Sequence, residues 1–285
     1  MLLVLGVLVA LGSAAAYAFG VTLQAAEARE TPAEESLKLS LLKDLVHRRR
    51  WIMGTACVVV GWILQAASLM MAPITIVQPA MAMSIVVLLV IGIRKHEEPI
   101  GAPEMIGTAA IVVGVIGLAS VAPGHGEGDA APVTLAIGMS VLGLVALLPY
   151  LISAAHRHLG GFVVAIGAGM SYAWTGFSTK FLADGFASKA WIVAAIWLAA
   201  TAGAAFVGLL SEMTALQTRS AIRIFPVVLV VQIIVAVLLA PLLAGEEWEP
   251  NPVNAGVLAG SLIAITMGTR LLATARAVTR VVATA

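Results

Sequence analysis

Charged residues are scarce in this chain. Asp, Glu, Lys and Arg together make up 11% of the 285 residues, whereas about a quarter is usual in globular domains. Hydrophobic residues make up 61%, more than a soluble domain of this length could bury. A lipid bilayer accommodates them because each spanning helix needs about 20 mainly apolar residues. The composition therefore excludes a soluble globular domain and predicts an integral membrane protein.

Several functional classes lack the residues that they need. Sixteen basic residues against fifteen acidic ones give no excess charge for a nucleic-acid partner. The single cysteine, Cys57, excludes an intrachain disulfide and is interpreted as a small buried hydrophobe. His156 and His158 have no nearby nucleophile, and neither His-Glu-x-x-His nor Gly-x-Ser-x-Gly occurs. We therefore expect no enzyme and no cofactor, and any energy coupling would use a gradient.

Long apolar runs predict about nine transmembrane helices. Each run is long enough to span as a helix, the default in lipid because every backbone N–H and C=O must be satisfied within its own segment. The fold is therefore predicted to be an all-α polytopic membrane protein. The runs lie at 2–25, 51–71, 74–93, 103–122, 132–154, 159–180, 190–213, 220–243 and 253–273.

The basic residues predict how the helices are oriented. With nine spans, one face of the membrane carries fourteen of the sixteen lysines and arginines, and the other carries only Lys180 and Lys189. Cytoplasmic loops are enriched in Lys and Arg, so the first face is the inner one. The sequence predicts a cell-membrane protein, plasma or inner, with its N-terminus outside and its C-terminus in the cytoplasm.

Two loops have a readable character. Residues 31–47 of the long cytoplasmic connection are predicted to form an amphipathic helix on the inner membrane surface, starting at the N-cap Thr31. A docking helix for a cytoplasmic partner is the alternative. The outer loop 123–129 holds His125, Glu127 and Asp129, but their alternation with glycine favours a soluble tether, so no metal site is predicted.

The chain contains an internal repeat. Residues 9–24 align without gaps to 164–179, which places Tyr17 opposite Tyr172, and a weaker match places Pro79 opposite Pro226. Five spans separate the equivalent starts, so the two halves have opposite orientations. Inverted repeats around a central site are typical of secondary transporters. The predicted units are a first repeat (1–122, helices one to four), a connecting helix (132–154) and a second repeat (159–285, helices six to nine).

Short motifs occur in both halves of the chain. They are Leu69-Met70-Met71-Ala72-Pro73-Ile74-Thr75-Ile76-Val77-Gln78-Pro79, Glu212-Met213-Thr214-Ala215-Leu216-Gln217 followed by Pro226, and the helix-end pairs Glu97-Glu98 and Glu246-Glu247-Trp248. These motifs resemble those of the drug/metabolite transporter superfamily, in its EamA-like and NIPA-like branches. The resemblance implies a transporter, and nine spans rather than ten are closer to the NIPA-like arrangement.

Polar residues within the spans are the candidate substrate-binding groups, because unpaired polar groups are costly in hydrocarbon. Gln65 and Glu212 each lie fourteen residues before the matched prolines, so they are predicted to be equivalent. Two alternatives stay open: Glu212 pairs with Arg219 or Arg223, and the two tyrosines pack rather than gate. Small hydroxyls are interpreted as helix-packing groups. The candidates are Tyr17, Gln65, Gln78, Tyr172, Glu212, Arg223 and Gln232, with Pro79 and Pro226 as hinges.

The leading hypothesis is an alternating-access carrier of a small polar or amphipathic metabolite, with Arg223 favouring anionic groups. Its expected partners are a small-molecule solute and membrane lipids, and a homodimer is left open. A divalent-cation (Mg²⁺) transporter, which the NIPA-like resemblance implies, is the first alternative. It ranks second because Glu212 is the one plausible carboxylate within the spans. A non-transporting accessory or lipid-handling subunit is the other alternative.

Overall fold

The protein is entirely α-helical in the residues that the structure describes. This structure is a computed structural model, and it describes residues 2–31, 37–87, 90, 101–121, 131–155, 161–218, 221–246 and 251–274. Over these ranges the chain forms ten helices and no strand, which confirms the predicted all-α class. They are α1 (Leu2–Arg29), α2 (Leu39–Leu45), α3 (Arg49–Leu69), α4 (Ile74–Ala80), α5 (Ala102–Val121), α6 (Pro132–Ala155), α7 (Gly161–Ala187), α8 (Trp191–Thr218), α9 (Ala221–Leu243) and α10 (Pro252–Thr274).

Five of these helices, α1, α3, α6, α8 and α10, are long and apolar enough to cross a membrane. Their outward faces carry large exposed aliphatic side chains, as Ile137 (60% exposed) and Leu144 (61%) do on α6. Soluble monomers rarely expose an apolar surface of this kind to water, whereas a membrane protein exposes it to the lipid chains. The prediction of a membrane protein is therefore confirmed.

The run predicted as one span at 74–93 is interrupted. The helix α4 ends at Ala80, Met81 and Ala82 form a turn, and residues 83–87 are helical again. The N–H groups of Met81 and Ala82 bond three residues back, to Gln78 (3.0 Å) and Pro79 (2.9 Å). Pro79 cannot donate a hydrogen bond, and its ring crowds the preceding turn. A prediction from hydropathy does not register such a break, because the residues stay apolar throughout.

The amphipathic helix of the long connection is shorter than predicted. Leu37 has a φ of 56° and Lys38 is extended, so α2 begins only at Leu39. Residues 32–36, which include most of the predicted capping box, lie outside the described residues. The predicted two-faced character is present within α2, where Leu41 and Leu45 are fully buried while its charged residues are exposed.

Ion pairs also link the end of this connection to the end of α1. The Arg48 guanidinium lies 3.1 Å from the Glu27 carboxylate and 2.7 Å from that of Glu30. The hydrogen bond that Arg48 donates to the Glu27 carboxylate is the main reason why the pKa of Arg48 is raised. The pairs are partly exposed, so they fix the path of the chain more than they stabilise the fold.

The helices pack in corresponding pairs. We use the terms N-terminal half for α1 and α3–α5, and C-terminal half for α7–α10, with α6 between them. In the first half α1 lies along α3, and in the second α7 lies along α8. Across the halves α5 packs on α10, α4 packs on α9, α1 contacts α8 and α3 contacts α7. If α1, α3, α4 and α5 are matched in order with α7, α8, α9 and α10, each of these contacts corresponds to another contact of the set or to itself.

Glycines let the backbones of two helix pairs approach closely. A Cβ atom built on Gly20 of α1 would lie 2.7 Å from the carbonyl oxygen of Gly54 on α3, and one on Gly54 would lie 2.7 Å from that of Gly20. Between α5 and α10, a Cβ on Gly268 would lie 2.6 Å from the Gly107 carbonyl oxygen. Membrane helices associate through such small residues because lipid provides no hydrophobic driving force between them.

Candidate functional site

A polar cavity lies where the two halves meet. Its volume is about 60 Å³, which is room for about four water molecules at ~15 Å³ each. It is bounded by helices α1, α3, α7, α8 and α9 and by the segment that follows α4. The polar side chains that line it are Tyr17, Gln24, Gln65, Ser84, Tyr172, Thr175, Glu212 and Gln232, and the apolar ones are Val21, Val58, Met81, Leu209, Phe225, Val228 and Leu229.

Glu212 supplies the charge of this cavity. Its side chain projects from α8, is 4% exposed, and accepts a hydrogen bond of 2.6 Å at Oε2 from the hydroxyl of Tyr172 on α7. Such a bond is about twice as strong when the carboxyl group is ionised as when it is neutral. Among the described residues that line the cavity, Glu212 is the only acidic one and none is basic. The site can therefore hold a hydrogen-bond donor or a positive group.

The same arrangement of a tyrosine over a glycine occurs in both halves. The ring of Tyr17 lies against Gly61 of α3, where an added Cβ would meet ring atom Cδ2 at 3.0 Å. The ring of Tyr172 lies against Gly208 of α8, where an added Cβ would meet Cε1 at 2.8 Å. Each glycine is followed four residues later, on the same helix face, by the polar residue Gln65 or Glu212.

These two glycines were missed by the sequence analysis, although a signal was present. Gly61 and Gly208 have the same spacing in the chain as Gln65 and Glu212, and the matched prolines share that spacing. Glycine is common in membrane helices, so neither residue stands out alone. Only the ring above each glycine identifies its role, which is to leave room for an aromatic side chain.

Two glutamine side chains join the halves beside the cavity. Gln232 of α9 donates from Nε2 to Oε1 of Gln78 on α4 at 2.9 Å. Gln78 is fully buried and does not itself line the cavity, and its Nε2 has no hydrogen-bond partner among the described residues. A Cβ on Gly176 of α7 would collide with that nitrogen. The amide pair therefore depends on glycine at this position.

The predicted site residues thus fall into three groups. Five of them line the one cavity, and Gln78 lies directly behind Gln232. Pro79 is buried within α4, next to the interruption. Arg223 and Pro226 belong to α9, but their side chains lie outside the described residues, as does Arg219, and the alternative in which Glu212 pairs with one of these arginines lies outside them too. Three further lining residues were not among the candidates: Ser84 and Thr175, which as small hydroxyls were interpreted as helix-packing groups, and Gln24, to which no role was assigned.

Hydrogen bonds between the halves lie on both sides of the cavity. On one side, Gln217 of α8 donates to the Thr31 hydroxyl at 3.0 Å, and the Leu37 N–H donates to the Thr214 hydroxyl at 2.9 Å. On the other side, Trp62 of α3 donates to the hydroxyl of Thr179 on α7 at 2.9 Å. The cavity is therefore held between two sets of polar contacts that a relative movement of the halves would break.

The fold and the site define an α-helical membrane protein with a small polar cavity between two packed halves. No protein-family model, no curated protein and no solved structure matches this chain. Groups of three or more potential metal ligands are absent from the described residues.

Proposed function

We propose that this protein is a secondary transporter that moves a small polar solute across the cell membrane by alternating access. The observation that carries the proposal is the cavity between the halves, which is lined by Glu212 of one half and Gln65 of the other, each one helical turn beyond a glycine that lies under a tyrosine ring. Transporters of this kind bind their solute near the middle of the bilayer, at the interface between repeats.

We further propose that nine spans form two inverted repeats. The spans would be α1, α3, α4 together with residues 83–87, and each helix from α5 to α10. Three observations support this arrangement: the corresponding packing of helices, the tyrosine-over-glycine unit in each half, and the position of the interrupted helix beside the cavity. Discontinuous helices at the site are common in inverted-repeat transporters, because irregular backbone is tolerated there.

The described lining favours solutes that donate hydrogen bonds or carry a positive charge. Glu212 uses one oxygen to accept from Tyr172, and its carboxylate remains able to accept further bonds from a ligand. This differs from the preference for anions expected from Arg223. The apolar lining residues would contact the carbon atoms of a small solute.

A thermal-shift screen of the purified protein tests the proposal. Small amines, amides, amino acids, sugars, organic anions and MgCl₂ would each be added, and a solute that binds is expected to raise the melting temperature by mass action. The solute found would then be assayed for counterflow in proteoliposomes. Uptake of Mg²⁺ that is lost in Glu212→Gln would establish the cation transporter instead. No counterflow, with a stoichiometric partner in the purified sample, would establish an accessory subunit.

Replacing Tyr172 by phenylalanine is expected to weaken solute binding about tenfold or more. The bond that Tyr172 donates to Glu212 holds the carboxylate in the position where it would bind the solute, and a hydrogen bond to a charged group contributes about 1.5–3 kcal/mol. The variant leaves the Glu212 carboxylate without its described donor. The dissociation constant of the solute, measured by titrated thermal shift, checks this. Tyr150→Phe is the control, since the Tyr150 hydroxyl contacts Ser211 at 3.0 Å outside the cavity lining. Equal effects of both changes would contradict the assignment.

A further inference from the structure

Glu246 is a buried carboxylate that the proposed function does not yet use. It is 2% exposed and follows α9, which ends at Leu243. Gly245 adopts the left-handed conformation, with a φ of 64°, and the Glu246 N–H lies 3.4 Å from the carbonyl oxygen of Ala240. A glycine in this conformation ends a helix and reverses the chain. The reversal directs Glu246 away from the axis of α9.

The Glu246 side chain binds the backbone of the opposite half. Its Oε1 accepts a hydrogen bond from the N–H of Ile74 at 2.6 Å, and its Oε2 accepts one from the N–H of Thr75 at 3.2 Å. These residues begin α4, and the first N–H groups of a helix have no partner within it. We name this pair of bonds the Glu246 clamp.

The buried Glu246 carboxylate is stabilised by these two bonds only while α4 keeps its position. Burial raises the pKa of the Glu246 carboxyl, while the hydrogen bonds from Ile74 and Thr75 and the charge of Lys180 oppose that rise. Lys180 is itself 9% exposed and lies 3.2 Å from Asp184 on the next turn of α7. A buried carboxylate is costly without such partners. If α4 moves away, Glu246 must therefore reach water or take up a proton.

The clamp lies further from the cavity than the glutamine pair. Gln78 follows Ile74 by one helical turn, a rise of about 6 Å, and it is bound to Gln232 at the cavity wall. The same short helix thus carries the clamp at its start, the glutamine pair in its middle and the cavity-lining Met81 just beyond its end. A movement that opened this end of the cavity would break the clamp.

We propose that Glu246 is a positioning residue that keeps this end of the cavity closed, by fixing the interrupted helix of the N-terminal half to the C-terminal half. Release of the two bonds opens the cavity at that end. The inference rests on the proposed carrier function. In that function the Glu246 clamp forms when this end of the cavity is closed and breaks when it is open.

A second buried carboxylate provides a matched control. Glu104 is 5% exposed and also accepts a hydrogen bond from a backbone N–H, that of Gly101 at 3.0 Å. Both residues of this bond belong to the same segment of the N-terminal half. Glu104 therefore has the burial and the chemistry of Glu246 without the connection between the halves.

The test measures access to the cavity and needs no solute. Thr175 lines the cavity, so Thr175→Cys in a Cys57→Ser background reports its exposure to a membrane-impermeant maleimide. Vesicles of both orientations would be labelled. Glu246→Ala is expected to raise the labelling rate about tenfold from the side that carries Glu246, as loss of a charge-assisted bond predicts. Glu246→Gln should give a smaller rise because its amide oxygen retains one bond, and Glu104→Ala should give none.

The outcomes separate the clamp from the carrier function. Unchanged labelling in Glu246→Ala, in protein that melts as the parent does, would overturn the clamp. If Glu246→Ala does not fold, Glu246→Gln decides, and unchanged labelling there overturns the clamp equally. Faster labelling without counterflow of any solute would support the clamp and reject the carrier. Counterflow with unchanged labelling would reject the clamp alone.

Discussion

Moving the cavity carboxylate from one half to the other is expected to remove and then partly restore transport. Glu212→Gln should lower the rate of solute counterflow tenfold or more, because bonds to charged groups contribute about 1.5–3 kcal/mol. Adding Gln65→Glu to this variant should recover a substantial part of the rate. The reason is that Gln65 and Glu212 line the same cavity, one helical turn beyond Gly61 and Gly208 respectively.

The measurement is counterflow of the solute identified by thermal shift, in proteoliposomes with matched amounts of protein. Four proteins are compared: the parent, Glu212→Gln, Gln65→Glu, and the double variant. Gln65→Glu alone is the control, because two carboxylates in one small cavity repel each other and should impair transport. A double variant that is no more active than Glu212→Gln would show that the two positions are not equivalent, and the inverted repeat would lose its functional support.

The tyrosine partners make the exchange informative. Tyr172 donates to Glu212 in the parent protein, and Tyr17 occupies the corresponding place above Gly61. In the double variant, Tyr17 would have to take over the role of donor. Adding Tyr17→Phe should therefore abolish the recovery, whereas the same change in the parent should have the smaller effect. Equal sensitivity of both proteins to Tyr17→Phe would contradict this division of roles.

The predicted run 132–154 is observed as Pro132–Ala155, and the run 220–243 as Ala221–Leu243. Hydropathy predicted these helical segments well, because every span must be apolar over about 20 residues to cross the lipid. The interruption at Met81 and the left-handed Leu37 were not predicted. Both are local backbone conformations set by tertiary contacts, and the apolar pattern around them does not change.

The candidate site was predictable only in part, for a different reason. The cost of a buried polar group identified Gln65, Glu212 and Gln232, since each lies within an apolar run. It could not show which of the smaller polar residues face the cavity, so Ser84 and Thr175 were missed. Glu246 resembled an ordinary helix-end residue because its partners are backbone N–H groups. Almost every residue has such a group, so the residue types in the sequence do not reveal the contact.

Replacing Gly20 by valine is expected to disrupt the folded protein more strongly than any change within the cavity. A Cβ at this position would lie 2.7 Å from the Gly54 carbonyl oxygen and 3.1 Å from the Val58 nitrogen. Both are backbone atoms, so no side chain can rotate away, and the two helices must separate. Overpacking of a well-packed interface costs about 1–3 kcal/mol, and valine adds two further methyl groups at the contact. The cost should therefore lie at or above the upper end of that range.

The expected result is a lower melting temperature and a smaller monodisperse fraction in size-exclusion chromatography. Gly12→Val is the matched control on the same helix, because an added Cβ there meets only Leu64 Cδ1, at 3.8 Å. Gly54→Val should reproduce the defect, since the two glycines face each other across the crossing. Because α1 carries Tyr17 and α3 carries Gln65, separation of these helices should also weaken solute binding. Equal melting temperatures for Gly20→Val and Gly12→Val would mean that α1 and α3 do not approach this closely, and the geometry that places Tyr17 over Gly61 would have to be revised.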